Sequence, residues 1–376
     1  MNFEFSDDQK MLKDQARRYL DDNCSSKEVR RILDGDEPYH PELWKGVAEM
    51  GWLGASIPEE YDGLGLGYLE LCVIAEELGR AVAPIPFSST VYLFAEALLI
   101  AGSEEQKKKY LPQVATGEII GTLAVSEGPG AVTPKSINLS AGGGNLTGTK
   151  LPVPDGDVAD FAVVAANTGG GNSEGDISLF IVDMKAAGVT AENVETVDPT
   201  RSQAKVTFDG AAAEPLGGTG EGWAIIDKIY DRAAVLFGFE QVGGSQAALE
   251  MARDYALERY AFGRQIGSFQ AIKHKLADMY VATELARSNS YYGAWALSTD
   301  APELAVAAAT ARVSATEAYH ECSKENIQVH GGMGFTWEFD CHLHYRRSKV
   351  LALALGSLPR WKDRLITRLE ERNVAA

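Results

Sequence analysis

The chain has 376 residues, 45% of them hydrophobic and 23% charged, with a formal net charge of −18. That length passes the roughly 250–300 residues at which a single core stops growing, so two or three domains are expected. The acidic balance excludes a general binder of nucleic acid or anionic membrane, whereas a small anion needs only a local group of Arg and Lys.

Ser6-Asp7-Asp8 reads as a cap ahead of a helix carrying Met11, Leu12 and Tyr19. The opening MNFEFSDDQK has no cationic start and no apolar stretch, so no export signal is expected. Apolar residues at helical spacing run from Tyr68 to Leu78 and from Val91 to Ile100. The connector GWLGASIPEEYDGLGLG is loop, and its glycines lack the spacing of a dinucleotide fingerprint. From about residue 119 the runs GTLAVSE, DFAVVAAN, ISLFIVDM and AKVTFDG read as strands of a small β-sandwich or barrel. AGGGNLTG and NTGGGNSEGD read as hairpin loops between such strands. Helix returns near Gly222, with long segments at 223–261, 269–298 and 302–329 and Pro302 expected in a first turn. Their apolar positions cover more than one face, as in a bundle that also buries a subunit interface. The reading is an α+β chain: an N-terminal helical domain (1–118), a β-domain (119–217) and a C-terminal four-helix bundle (218–376).

Cys24, Cys72, Cys322 and Cys341 are far apart and read as reduced thiols of a cytoplasmic protein. Cys341, His342 and His344 cluster without a second group to complete a zinc site, so no metal is expected. No run of about 18 apolar residues is present, so no membrane span is expected.

Two stretches carry chemistry. In ERYAFGRQIGSFQ (258–270) a loop joins two helices, and Arg259 offers a planar fork for phosphate oxygens while Phe262 offers an aromatic face. In IQVHGGMGF (327–335) a helix breaks on two adjacent glycines beside Gln328. Glycine there serves either to terminate the helix or to offer bare backbone to a ligand.

These two stretches, with IPEEYDGLGLG and AEELGR, resemble the signatures of the acyl-CoA dehydrogenases, and the order and length of the segments fit that family from end to end. The resemblance implies FAD as cofactor. Its adenosine diphosphate half would lie across a dimer interface, between Arg259, Phe262 and Gln270 of one copy and Gln328, Gly331 and Gly332 of the other. Ser126 would donate to the flavin edge, and Tyr230, Asp231 and Arg232 would lie beside the substrate. The implied reaction removes a proton from Cα and a hydride from Cβ of an acyl-CoA thioester and passes electrons to an electron-transfer flavoprotein. A homodimer or homotetramer is implied, or a heterotetramer with a related subunit.

The chain departs from the family at its chemistry. Counting from Arg346 places Leu355 where the catalytic glutamate is expected, followed by Gly356 and Ser357. Some relatives carry the base on an earlier helix, before an arginine. Here Asp231 precedes Arg232, although an ungapped register falls on Ala233. Asp231 is therefore the candidate base, with Glu240 further along the same helix as an outside choice. The flavin-side loop is SEGPGAV (126–132), and a tryptophan stretch is replaced by PVPDG (152–156). The readings are an FAD-dependent acyl-CoA dehydrogenase, a non-catalytic partner subunit of a heteromeric one, or an oxidase or monooxygenase on the same fold.

Overall fold

A computed structural model describes residues 5–171 and 173–375. Ser6 caps α1 (Asp7–Asn23): its hydroxyl accepts from Gln9 N at 3.2 Å while Gln9 Oε1 accepts from Ser6 N at 3.0 Å, a reciprocal capping box. Then come α2 (Ser26–Asp34), α3 (Pro41–Glu49), α4 (Tyr68–Arg80), α5 (Glu96–Ala101) and α6 (Glu104–Ala115). The strands are β1 (Gly121–Ala124), β2 (Ser140–Gly142), β3 (Asn145–Pro154), β4 (Phe161–Asn167), β5 (Ile177–Asp183), β6 (Val189–Asn193), β7 (Gln203–Ala212) and β8 (Glu214–Leu216). Helices α7 (Gly222–Glu258), α8 (Gln270–Ser298), α9 (Leu304–His330), α10 (Cys341–Leu353) and α11 (Leu358–Ala375) complete the chain. Pro302 lies in a turn ahead of α9 and not in its first turn. No helix among the described residues is long and apolar enough to cross a membrane.

By contacts the chain divides into two compact units that cut across the three sequence segments. One gathers the chain up to Arg31, Tyr68–Ala83 and everything from Ala234; the other gathers Ile32–Gly67 and Pro84–Ala233.

In the first unit, α4 and α7 cross with their backbones touching. A Cβ on Gly79 would stand 1.9 Å from the carbonyl oxygen of Glu240, and one on Gly243 would stand 1.8 Å from that of Glu76. The crossing carries charge inside the protein. Glu76 and Glu77 are buried, and they pair with Lys13 (2.9 Å to Glu76), Arg17 (2.8 Å to Glu77) and Arg287, which bonds Glu76. Burial raises the Glu76 carboxyl, but the Arg287 and Lys13 charges overcome it and hold the group below the usual range. Arg347, fully buried on α10, donates from its two Nη atoms to Ala83 O and Val82 O at 3.2 Å each. Its guanidinium lies 3.9 Å from the carboxylate of Glu240, which is itself fully buried. Arg312 of α9 donates to Gln241 Oε1 at 2.9 Å and to Leu351 O, and burial pushes its pKa down to about 9.

In the second unit the strands join in one mixed sheet of order β6-β7-β3-β2-β4-β5-β8, with β1 pairing parallel to β4. β2 and β3 turn through Gly143-Gly144, and β4 and β5 pair antiparallel from Asn167↔Ile177. Both hairpins were expected from their glycines. The run read as helix from Val91 is a buried π-helix over Ser88–Ala95 that continues as α5. Its start is held by distant partners. Ser89 donates to Asp155 Oδ2 at 2.6 Å, and Thr90 Oγ1 accepts from Gly121 N at 3.2 Å. Glu96, fully buried, accepts from Arg232 Nε at 2.8 Å.

Two outcomes follow for the first unit. Gly243→Ala forces a methyl group into a backbone oxygen that cannot move without parting two helices. We expect a loss of about 3 kcal/mol or more in urea unfolding, or failure to fold. His344 is buried with its Nδ1 3.2 Å from Tyr319 Oη, and burial together with Arg347 and Arg80 pushes its pKa down to about 4. The unfolded chain takes up that proton near pH 6.5, so stability is full above about 6.5 and falls as pH drops toward 4, by up to about 3 kcal/mol. The urea midpoint of His344→Gln should therefore drop less than that of the wild type between pH 7.5 and 5.0.

Candidate functional site

At the end of α7 the chain makes the smallest of hairpins: β9 (Tyr260–Ala261) pairs antiparallel with β10 (Arg264–Gln265). Its two central residues, Phe262 (φ +53°) and Gly263 (φ +79°), both have positive φ, as a type I′ turn requires. Asn-Gly suits such a turn. A phenylalanine at the first position costs roughly 1 kcal/mol in backbone strain, and its side chain is 96% exposed. Arg264 stacks its guanidinium 3.9 Å from the centre of Phe269, and Phe269 meets Phe262 edge to face. Arg259 and Gln270 are exposed at the two feet of the hairpin. Among the described residues no side chain caps the first turn of α8; Phe269 O takes the amides of Ile272 and Lys273 at 3.1 Å each, which leaves those of Gln270 and Ala271 to face an anion.

The second element ends α9. Gly331 has φ +59° and ψ −135°, a backbone region open essentially to glycine alone. Gly332 has no such need. Among the described residues, no atom lies within 4 Å of a Cβ built on Gly331 or Gly332. The pair is thus not spaced by packing inside the chain, and bare backbone is presented outward with Gln328 exposed one turn earlier. Gly334 differs: a Cβ there would stand 2.5 Å from Ile327 O, so it serves the fold.

One chain joins these two elements. Ala248, Leu249, Ala252 and Ala256 of α7, Met279 of α8, and Cys322 and Val329 of α9 form one apolar cluster, with Tyr255 and Ile266 packed on it. Tyr255 and His330 stack at 4.0 Å between ring centres, tilted 24°. The sequence reading assigned the hairpin to one copy and the glycine turn to another; within the chain, the bases of the two elements share one core. Tyr255 and His330 were missed because nothing in a single sequence pairs residues on separate helices.

The turn is strapped down beyond the glycines. Trp337 stacks on His342 at 4.4 Å, with the guanidinium groups of Arg346 at 5.2 Å and Arg30 at 5.9 Å from its ring, and Arg30 Nε donates to Asp340 at 2.6 Å. His342 and His344 therefore take part in packing. Among the described residues, no three or more His, Cys, Asp or Glu are grouped to hold a metal ion.

The candidate base positions look different. Leu355 is 3% exposed and its carbonyl accepts from Trp361 Nε1 at 3.0 Å. Glu240 is fully buried and faces Arg347 at 3.9 Å. In the second unit Ala233 is fully buried, and Asp231 is 7% exposed on the first turns of α7. Next to it, Arg232 is engaged by Glu96, so its guanidinium has an internal carboxylate partner. The half-buried Ser126 donates its hydroxyl to Gly128 O at 3.2 Å, which leaves its oxygen lone pairs as the side chain's remaining capacity.

Sequence comparison matches residues 6–118 to the acyl-CoA dehydrogenase N-terminal domain and 220–360 to the acyl-CoA dehydrogenase C-terminal domain. The chain is 32% identical over 354 residues to the acyl-CoA dehydrogenase IpdE2 of Mycobacterium tuberculosis, covering 93% of this chain and 94% of that one. Among solved structures it is similar to butyryl-CoA dehydrogenase from Megasphaera elsdenii, with TM-score 0.91 and 26% identity, covering 98% and 100% of the two chains. It is also similar to a chain of the ChsE4-ChsE5 complex from Mycobacterium tuberculosis, with TM-score 0.88 and 27% identity, covering 99% of each.

The strained Phe262 makes a two-sided prediction. Phe262→Gly should raise the chain's own stability by about 0.5–1 kcal/mol in urea unfolding, since it relieves a positive φ. It should at the same time weaken binding of a planar ligand that stacks on the hairpin, read by ligand titration, because the exposed aromatic face is lost.

Proposed function

The chain belongs to the acyl-CoA dehydrogenase family, whose members are FAD-dependent, and we propose that it serves as the nucleotide-holding subunit of a heteromeric acyl-CoA dehydrogenase. In that reading a related companion chain supplies the carboxylate that removes the Cα proton. The observation that carries the proposal is a contrast within one molecule. The surfaces suited to the adenosine diphosphate half of FAD are exposed and built, while both family positions for the base, Leu355 and Ala233, are apolar and buried.

The donor set fits that half of the cofactor. Arg259 offers a charged fork to a phosphate, the uncapped amides of α8 beside Gln270 offer neutral donors, and Gly331-Gly332 permit close approach of a bulky group. FAD, when bound, supplies the acceptor for the hydride that leaves Cβ of the acyl thioester. This chain's part is to bind and orient: a fixed cation holds the diphosphate and the hairpin aromatic covers a ring. Neither leucine nor alanine can accept the Cα proton, so a carboxylate from elsewhere is needed. Asp231, a buried carboxylate on α7, is the leading alternative base from the sequence reading, ahead of Glu240. The similarity to a chain of the two-component ChsE4-ChsE5 complex supports the heteromeric reading. An acyl-CoA substrate and an electron-transfer flavoprotein as acceptor belong to the same proposal.

The test is reconstitution. The chain should purify with little flavin and show no anaerobic reduction by acyl-CoAs. Combined with a family member that carries glutamate at the position equivalent to Leu355, it should hold FAD and bleach on adding acyl-CoA. In that assembly Asp231→Asn should leave the reduction rate within about threefold. A chain that is yellow alone, is bleached by an acyl-CoA under argon, and loses about a hundredfold or more of its rate in Asp231→Asn would overturn the proposal in favour of Asp231 as base.

A further inference from the structure

We infer that Tyr255 and His330 are positioning residues for the cofactor's diphosphate: their stacked rings lock the hairpin and the glycine turn into one surface. The inference rests on the nucleotide-holding reading above and says which side chains hold that surface in register. Each ring sits at the root of one binding element. The carbonyl of Tyr255 accepts the amide of Arg259 at 2.9 Å, so the ring lies one helical turn before the phosphate-facing guanidinium. His330 immediately precedes Gly331. The rings meet at 4.0 Å, and Phe339 closes over both, 5.9 Å from Tyr255 and 5.7 Å from His330.

The imidazole is held in one state. His330 is 5% exposed, and its Nδ1 lies 2.8 Å from Asn326 O, an atom that can only accept. Nδ1 therefore carries a proton that is hydrogen-bonded to Asn326 O, and burial lowers the pKa of the ring, which disfavours its charged form. One turn back, a second rung parallels the first, with Asn326 Nδ2 donating to Met251 Sδ at 3.2 Å. Met251 and Tyr255 are four apart on α7, and Asn326 and His330 are four apart on α9. The two rungs therefore lie along matching faces and resist both sliding and twisting of one helix on the other. Nothing else in the reaction uses these rings. Their placement between the two elements that face the nucleotide is what assigns the role.

The experiment compares FAD affinity in the assembled protein, read from flavin fluorescence on dissociation at 10 °C, where circular dichroism shows each variant folded. Tyr255→Leu and His330→Leu should each weaken FAD about tenfold, and the double variant should be no weaker than about twofold beyond either single one, because one contact is removed in all three. Tyr255→Phe and His330→Phe keep a stacking face and should stay within about threefold of wild type. The KM for acyl-CoA at saturating FAD should not change. Equal losses in the Leu and Phe variants, additive losses in the double variant, or unchanged affinity in all of them would overturn the inference. Arg259→Ala separates the two failures. If it too leaves FAD binding unchanged, the nucleotide reading itself fails; if it weakens binding while the ring variants do not, only the positioning role fails.

Discussion

Gly79 and Gly243 let the backbones of α4 and α7 touch, and much of the first unit is organised by that contact. Side chains cannot fill a seam that narrow, so the helices are fixed by shape, with the carbonyls of Glu76 and Glu240 as the surfaces in contact. Water is excluded, and the charged residues that flank the seam must find partners inside. Glu76 and Glu77 reach cations on α1 and α8, and Glu240 faces Arg347. Removing one member of such a set leaves an uncompensated buried charge, which is why the seam and its ion pairs have to be considered together. Because α7 is a single rod, fixing it at Gly243 also fixes its end about 20 Å away, where Tyr255 and Arg259 stand.

What could be read from the sequence was whatever the backbone itself demands. Gly331, the Ser6-Asp7-Asp8 cap and the glycine-rich hairpins each state a local φ requirement or hydrogen bond, and the apolar runs of 161–167 and 177–183 state a buried sheet. Strand β3 was missed because NLTGTKLPVP contains a glycine and two prolines and is bulged where it pairs with β7. Strand β6 was missed because four of its five residues are exposed and carry no apolar face. The π-helix at 88–95 could not be told from an α-helix by spacing. Its hydroxyls bond to residues 121 and 155, partners that only the tertiary fold supplies.

The same reasoning explains which parts of the site were legible. Arg259, Phe262, Gln328 and the glycine pair stood out as candidates because they form compact motifs. The buried Arg312 and Arg347 were not legible, since an arginine in a helix reads as surface until its carbonyl partners on another segment are known. The core shared by hairpin and turn was not legible for a related reason: cross-helix stacking leaves no trace in the order of residues.

The region around Leu355, where the resemblance to the family expects the catalytic glutamate, is firmly built around an apolar side chain. Gly356 (φ +95°) turns the chain there, with its amide donating to Leu353 O at 2.9 Å. Trp361 holds Leu355 O, and Arg312 holds Leu351 O. Such a set of bonds fixes a kink whatever side chain it carries. A buried leucine at its centre contributes roughly 1.5–3 kcal/mol of burial. A carboxylate in its place would be charged and desolvated unless a partner met it. Replacing the acid by leucine therefore removes an electrostatic cost and leaves the scaffold whole. That combination suits the proposed role, in which the chain holds a nucleotide and a companion chain abstracts the proton.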